Sequence, residues 1–289
     1  MTTNPTITRV ESADGTGIVV ERRGSGPAVI LVDGALCSRA FGPSCNLAQA
    51  LAPEFTVYSY DRRGRGDSGD RSPYAPAREV DDLAAVLTHA GGSAALIGQS
   101  SGAALALEAA ASGLPLSAVV AYEPPYVDHA GTGPELPHLA ALHERLQHGD
   151  RGGAVAYFMR DMVHVPVFIV IMMRVMPWFW RKMKAVAHTL PYDTRIMTGF
   201  RVPRARLGSI RVPVLVMHGS NTDQRLKGAA QAVATAIPGA RHRELPRQTH
   251  NVSAAVLAAA ATEFIRSAII NQQSAILNSR DSHAFPHRP

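Results

Sequence analysis

The chain is poor in cysteine, with only Cys37 and Cys45 among 289 residues. That excludes a disulfide framework and a cysteine-rich zinc site. Lysine is scarce as well: Lys182, Lys184 and Lys227 are the only three, and the other basic residues are arginine. No unbroken apolar run is long enough to span a bilayer. The run at 166–180 is interrupted by Arg174 and Pro177, and the one at 254–270 carries Glu263 and Arg266 and reads as a core-packed terminal helix. The polar start has neither a basic nor an apolar leader segment, so no secretory signal and a cytoplasmic location are expected. No internal repeat is evident. What the chain does have is an ordinary globular composition, 46% hydrophobic and 18% charged, and enough length to bury a core without metal or disulfide staples.

Strand and helix patterns alternate. Short β-branched or apolar runs at 17–21, 28–33, 55–60, 94–98, 117–122, 212–218 and 241–245 read as strands. Helical patterns fill 78–90, 101–112, 226–237 and 252–269. The central runs are apolar throughout, as in parallel strands covered on both faces. This order predicts an α/β protein with a mostly parallel sheet flanked by helices. Residues 126–200 break the rhythm and are expected to form a helical cap. The core is then 1–125 with 201–270, and the polar residues 271–289 are expected to be a flexible tail.

Gly98-Gln99-Ser100-Ser101-Gly102 fits G-x-S-x-G between an apolar strand and a small-residue helix. A turn that tight accepts only glycine two residues either side of the serine. It presents the Ser100 hydroxyl beside the backbone N–H groups of a helix N-terminus. Asp61-Arg-Arg-Gly-Arg-Gly-Asp-Ser68 follows another strand, and Asp33-Gly34 ends a third. Together these stretches resemble the α/β-hydrolase superfamily over about residues 17–269. Within it the chain resembles small bacterial serine hydrolases with a helical cap, of esterase or lactonase type. A serine at the elbow excludes the superfamily's chemistries that need a carboxylate there.

The resemblance implies further roles. His250, in Gln248-Thr-His-Asn-Val between the last strand and the last helix, stands where the family carries its catalytic base. The N–H groups of Ala35 and Ser101 would form an oxyanion hole. Many members have His before the glycine of the first of these turns; here Asp33 stands there, and an ionised carboxylate beside an oxyanion is unfavourable unless it points away. The acid has two candidates. Asp223 follows the strand ending at His218, where the family most often carries its acid, but Gly219-Ser-Asn-Thr-Asp223 is one residue longer than the usual G-x-x-D turn. Glu123 ends the strand after the elbow helix, with Pro124-Pro125 fixing the chain beyond it, and some members use a Glu there. We prefer Glu123 and keep Asp223 open. His218 is read as structural.

The cap speaks to the substrate. Residues 126–200 hold seven of the nine methionines and both tryptophans. Part of that material must pack on the sheet; a cavity it lined would suit a fairly hydrophobic small molecule. Gly34, Trp178, His188 and Tyr192 are candidate pocket residues, and Asp193 lies with the last two where the cap returns to the core. His138, His143 and His148 are spaced by five, which puts them on different helix faces, so no metal site is expected. The expected activity is cleavage of a carboxylic ester or lactone through an acyl-enzyme, without cofactor. The alternatives are a cofactor-free lyase, isomerase or C–C bond hydrolase, and a non-catalytic ligand-binding protein.

The formal charge of +6 is uneven. Residues 160–221 hold ten basic and two acidic side chains, a net +8, and the remainder is −2. With no recognised binding motif beside it, nucleic acid is not an expected partner. The segment reads as a solvated, arginine-rich lid. Membrane-surface contact is not expected, and a homodimer stays open.

Overall fold

The computed structural model describes residues 5–127 and 136–284. Residues 128–135 of the expected cap and 285–289 of the expected tail lie outside the described residues. In chain order the elements are β1 (Thr6–Glu11), β2 (Gly17–Arg23), β3 (Ala28–Val32), α1 (Ser44–Leu51), β4 (Thr56–Tyr60), α2 (Pro76–His89), β5 (Ala94–Gln99), α3 (Ser101–Ala111) and β6 (Leu116–Tyr122). An insertion follows, with α4 (Leu136–Gln147), α5 (Arg151–Tyr157), α6 (Val167–Arg174), α7 (Pro177–Ala185) and α8 (Leu190–Ile196), and the short α9 (Arg204–Leu207) leads back to the sheet. The chain closes with β7 (Val214–Gly219), α10 (Gln224–Ala236), β8 (Arg241–Leu245) and α11 (Ala254–Ala284).

The strands form one eight-stranded sheet in the order β1-β2-β4-β3-β5-β6-β7-β8. The β1–β2 and β2–β4 pairs are antiparallel and the rest are parallel. The apolar runs 28–32, 94–98 and 118–122 occupy the middle, where helices cover both faces. One apolar cluster joins the sheet to α2, α3 and α10, and the other joins it to α1 and α11. The charged strand Arg241–Leu245 sits at one edge with four exposed residues, a composition that discourages edge-to-edge pairing.

Three elements depart from the sequence pattern. β1 has no strong signal of its own, because Thr6–Glu11 offers only a weak alternation; it forms by pairing with β2 along its whole length. α1 is also without a clear signal: it is short and starts after Pro43 without a side-chain cap, held instead by burying Leu47 and Leu51. The third is the tail. α11 continues to Ala284 instead of ending near 270, and the sequence 254–284 contains neither glycine nor proline to stop it. Its first part, Ala254–Ser274, is apolar and long enough to cross a membrane by composition. In this fold Leu257, Ala261, Phe264 and Ile265 bury it on the sheet.

The insertion shares the core's apolar cluster: Leu142, Val155, Phe158, Trp180, Leu190 and Phe200 belong to the same group as α3 and the central strands. One side of α6 and α7 stays uncovered, with Phe168 70%, Val175 70% and Trp178 57% exposed.

The start of α3 is seated directly on the end of β3. A Cβ on Gly102 would overlap the Val32 carbonyl oxygen and crowd that of Asp33. Backbone cannot yield there without moving the sheet. Gly102→Ala is therefore expected to destabilise the protein by about 3 kcal/mol, an overpacking cost. A urea melt checks it, and an unchanged midpoint would refute the close-seating argument.

Candidate active site

The site gathers at the carboxyl ends of β5, β6 and β7 and in the loop after β8. Ser100 follows β5 directly, with φ 54° and ψ −128°. Such a conformation is strained for a residue with a side chain and survives only where its surroundings enforce it. The turn can close that tightly because Gly98 has no side chain: a Cβ there would overlap the Gly102 carbonyl oxygen. The Ser100 N–H also donates to the Tyr122 carbonyl at 3.0 Å. Gln99 pairs with Tyr122 in register, so the next residues along, Ser100 and Glu123, end adjacent strands side by side.

Glu123 is fully buried. Its Oε2 lies 2.6 Å from His250 Nδ1. Its Oε1 accepts from the Gly219 N–H at 2.8 Å and from Thr222 Oγ1 at 2.6 Å. Burial alone would raise its pKa, but the hydrogen bonds from His250, Gly219 and Thr222 outweigh that and hold it below the usual carboxylate range. An ionised carboxylate can only accept, so Nδ1 of His250 is the donor, and in the neutral ring Nε2 is then the acceptor. Tyr122 links the pieces. Its carbonyl holds Ser100, and its hydroxyl donates to the Thr249 carbonyl at 2.6 Å, beside His250.

Asp223, the other candidate acid, does not meet His250. It caps α10, accepting from the Arg225 N–H at 2.8 Å and from Arg225 Nε at 3.0 Å. The extra residue in its turn is the reason. The third residue after Gly219 is Thr222, and Thr222 donates to Glu123. The chain therefore carries a donor where the shorter turn would carry an acid, a signal legible in the spacing.

Beside the elbow lies the turn after β3. A Cβ on Gly34 would sit 3.2 Å from the Gln99 carbonyl oxygen and from Ser100 Cβ, so Gly34 lets this turn lie against the serine. Ala35 follows it, and Ser101 opens α3. Behind them lies a charged network that sequence reasoning missed. Arg62, Arg63 and Arg65 are each 1% exposed. Arg62 pairs with Glu79 at 2.6 and 2.8 Å and with Asp193 at 2.8 Å. Arg63 pairs with Asp82 at 2.8 and 2.7 Å. Arg65 pairs with Asp193 at 2.7 Å. Two signals point to it: Glu79 and Asp82 stand three apart on one helix face, and Asp193 is a lone acid in an acid-poor stretch.

The candidate pocket residues of the insertion make other contacts. The Tyr192 hydroxyl donates to Asp70 at 3.0 Å, and its ring stacks on Tyr74 at 3.8 Å. His188 Nε2 lies 3.6 Å from the same Asp70 carboxylate. Trp178 is exposed, edge-on to Phe179, which packs in turn on Phe41 in the loop after the Gly34 turn. Tyr192 also lines a surface cavity with Ser72, Pro73, His143 and Arg195, apart from Ser100, Glu123 and His250. His218 meets His242 at 3.0 Å and Glu244 at 3.1 Å, contacts between β7 and β8. Among the described residues no group of three or more His, Cys, Asp or Glu side chains could hold a metal ion.

Asp33 is buried, and its Oδ1 has no hydrogen-bond partner. Burial raises its pKa to about 6, against opposing hydrogen bonds from Ser44 and the charges of Arg65 and Arg62. Its contact with Ser44 directs the carboxyl toward the start of α1. A carboxyl whose folded pKa lies above its unfolded one favours the fold when protonated, and that advantage is lost as pH rises from about 4 through about 6. Asp33→Asn should therefore gain stability over the parent by about 2–3 kcal/mol between pH 4 and pH 7.5. Denaturant melts at both values test this, and a gap that does not widen with pH contradicts it.

The family model described as "Alpha/beta hydrolase family" matches residues 25–265. An alpha/beta hydrolase from Sphaerobacter thermophilus is 48% identical in sequence, with a TM-score of 0.83 over 89% of this chain and 99% of that one. A thermophilic esterase from Thermogutta terrifontis is 21% identical, with a TM-score of 0.63 over 91% of this chain and 99% of that one. An enol-lactonase from Burkholderia xenovorans is 20% identical, with a TM-score of 0.62 over 91% of this chain and 98% of that one. The latter two likenesses speak to the fold. A search of curated proteins finds no match. The match across 25–265, carried on an elbow serine and a mostly parallel eight-stranded sheet, means that this chain belongs to the alpha/beta hydrolase family.

Proposed function

We propose that the protein is a serine hydrolase that cleaves a carboxylic ester or lactone of a fairly hydrophobic small molecule through an acyl-enzyme. The observation that carries this reading is the 2.6 Å contact between His250 and a buried, ionised Glu123, on the strand end next to Ser100. Ser100 Oγ attacks the substrate carbonyl while His250 Nε2 takes its proton. Glu123 keeps the imidazole in the required tautomer and stabilises the imidazolium that forms. The Ala35 and Ser101 N–H groups bind the tetrahedral oxyanion, each contributing about 3 kcal/mol in comparable enzymes. His250 then protonates the leaving alkoxide and activates the water that releases the acid. The apolar insertion supports a hydrophobic substrate: α7 lies over the loop after the Gly34 turn through the Phe41–Phe179 contact.

A fluorophosphonate probe should label Ser100, identified by peptide mass. Ser100→Ala should abolish turnover of p-nitrophenyl esters. Glu123→Gln should lower kcat by about 10³–10⁴-fold while leaving KM nearly unchanged. Asp223→Asn should keep kcat within about threefold of the parent, since a surface cap residue acts on stability alone. Full activity in Glu123→Gln, or an unlabelled Ser100, would refute the reading.

A further inference from the structure

Two backbone segments supply the proposed oxyanion donors, and both are tied to one side chain of the insertion. Asp193, in α8, is fully buried. Its Oδ1 accepts from Ser101 Oγ at 2.8 Å and from Arg62 at 2.8 Å, and its Oδ2 accepts from Arg65 at 2.7 Å. Arg65 donates its other terminal nitrogen to the Gly34 carbonyl at 2.6 Å. Arg62 reaches the Asp33 carbonyl at 3.2 Å and Ser101 Oγ at 3.4 Å.

The Gly34 carbonyl and the Ala35 N–H belong to the same planar peptide and point in opposite directions. A guanidinium bonded to that carbonyl therefore fixes where the Ala35 N–H points. By withdrawing charge from the oxygen it also makes that N–H a stronger donor. The second donor is set in the same way: Ser101 carries the other N–H, and its side chain is held by Asp193. Neither N–H is taken up by a backbone acceptor in the turns and caps among the described residues.

We propose that Asp193 is the positioning residue of the oxyanion hole, holding Ser101 directly and the Gly34–Ala35 peptide through Arg65. The proposal rests on the serine-hydrolase reading above. Its consequence is that the oxyanion hole is assembled only when the insertion is docked, because α8 brings the carboxylate that pairs with Arg65 and holds Ser101. Asp193 does not touch the reacting atoms. Its removal should weaken transition-state binding and leave ground-state binding alone.

The test compares the wild type with Asp193→Asn and Ser101→Ala. Far-UV circular dichroism and thermal melts verify folding, and kinetics use p-nitrophenyl butyrate. A trifluoromethyl ketone, which adds to Ser100 as a tetrahedral oxyanion, reads the hole directly. Asp193→Asn should lower kcat by about 10²-fold, the size of losing one oxyanion donor. KM should stay within about threefold, and affinity for the ketone should fall in step with kcat/KM. The pH–rate midpoint should not move, because the His250–Glu123 pair is untouched. A folded Asp193→Asn with wild-type kcat and ketone affinity overturns the proposal, and so does a raised KM at unchanged kcat. If Asp193→Asn does not fold, Ser101→Ala decides. It leaves both arginine–Asp193 pairs in place and removes the hydroxyl with its contacts to Asp193 and Arg62, so weakened ketone binding supports the proposal and wild-type binding refutes it. A wild-type Ser100 that fails to react with a fluorophosphonate is a distinct outcome: the hydrolase reading falls, and the proposal with it.

Discussion

The structure turns on a single buried carboxylate shared by two buried arginines. Asp193 meets Arg62 and Arg65 where no water can screen them. Burial raises the pKa of Asp193, but Arg65 and Arg62 more than reverse that, so it stays ionised. Without it Arg62 would keep Glu79, but Arg65 would be left without its carboxylate partner, and removing one partner of a buried pair costs about 3–5 kcal/mol. The elbow helix, the turn after β3, the loop 61–68 and the insertion all meet at this point. Arg65 is compensated there only when the insertion delivers its acid. That makes the insertion part of the core's electrostatics as well as its cover.

A second constraint is steric. Small residues let four backbone segments approach closer than side chains would allow. Gly98 and Gly102 close the turn around Ser100, Gly34 lies against Ser100, and Gly219 backs onto the Gln248 carbonyl in the His250 loop. Ser100, Glu123 and His250 come from separate segments, and such contacts leave them little room to drift. Tyr122 adds a polar tie across the same gap, between the elbow and the loop that holds His250.

The basic character of the chain looks different once its arginines are located. Arg62, Arg63 and Arg65 are buried and paired, and they hold loops together. The exposed excess lies elsewhere, on α7 and nearby, where Arg181, Lys182 and Lys184 are at the surface beside Trp178 and Val175. The apolar stretch 165–173 reads in sequence as material for a lid. The structure divides it: Val170 is buried, and Phe168, Ile171 and Met172 face outward.

The parts whose chemistry is local were legible in the chain alone. The apolar runs had to become covered strands, G-x-S-x-G had to become a tight strand–helix turn, and His250 had to lie in the loop after the last strand. Each follows from residues close together in the chain. Which carboxylate meets His250 was settled by folding: the turn length hinted at the answer, but Glu123 and Asp223 both follow strands of the sheet and both look suitable. The choice came from a one-residue difference in the turn after β7, which placed Thr222 as a donor to Glu123 and left Asp223 to cap α10. The same holds for Asp193. Its isolation in an acid-poor stretch marks it out, but its partners are 92 to 131 residues away in sequence, and a local pattern cannot name partners that meet only when three segments fold against one another.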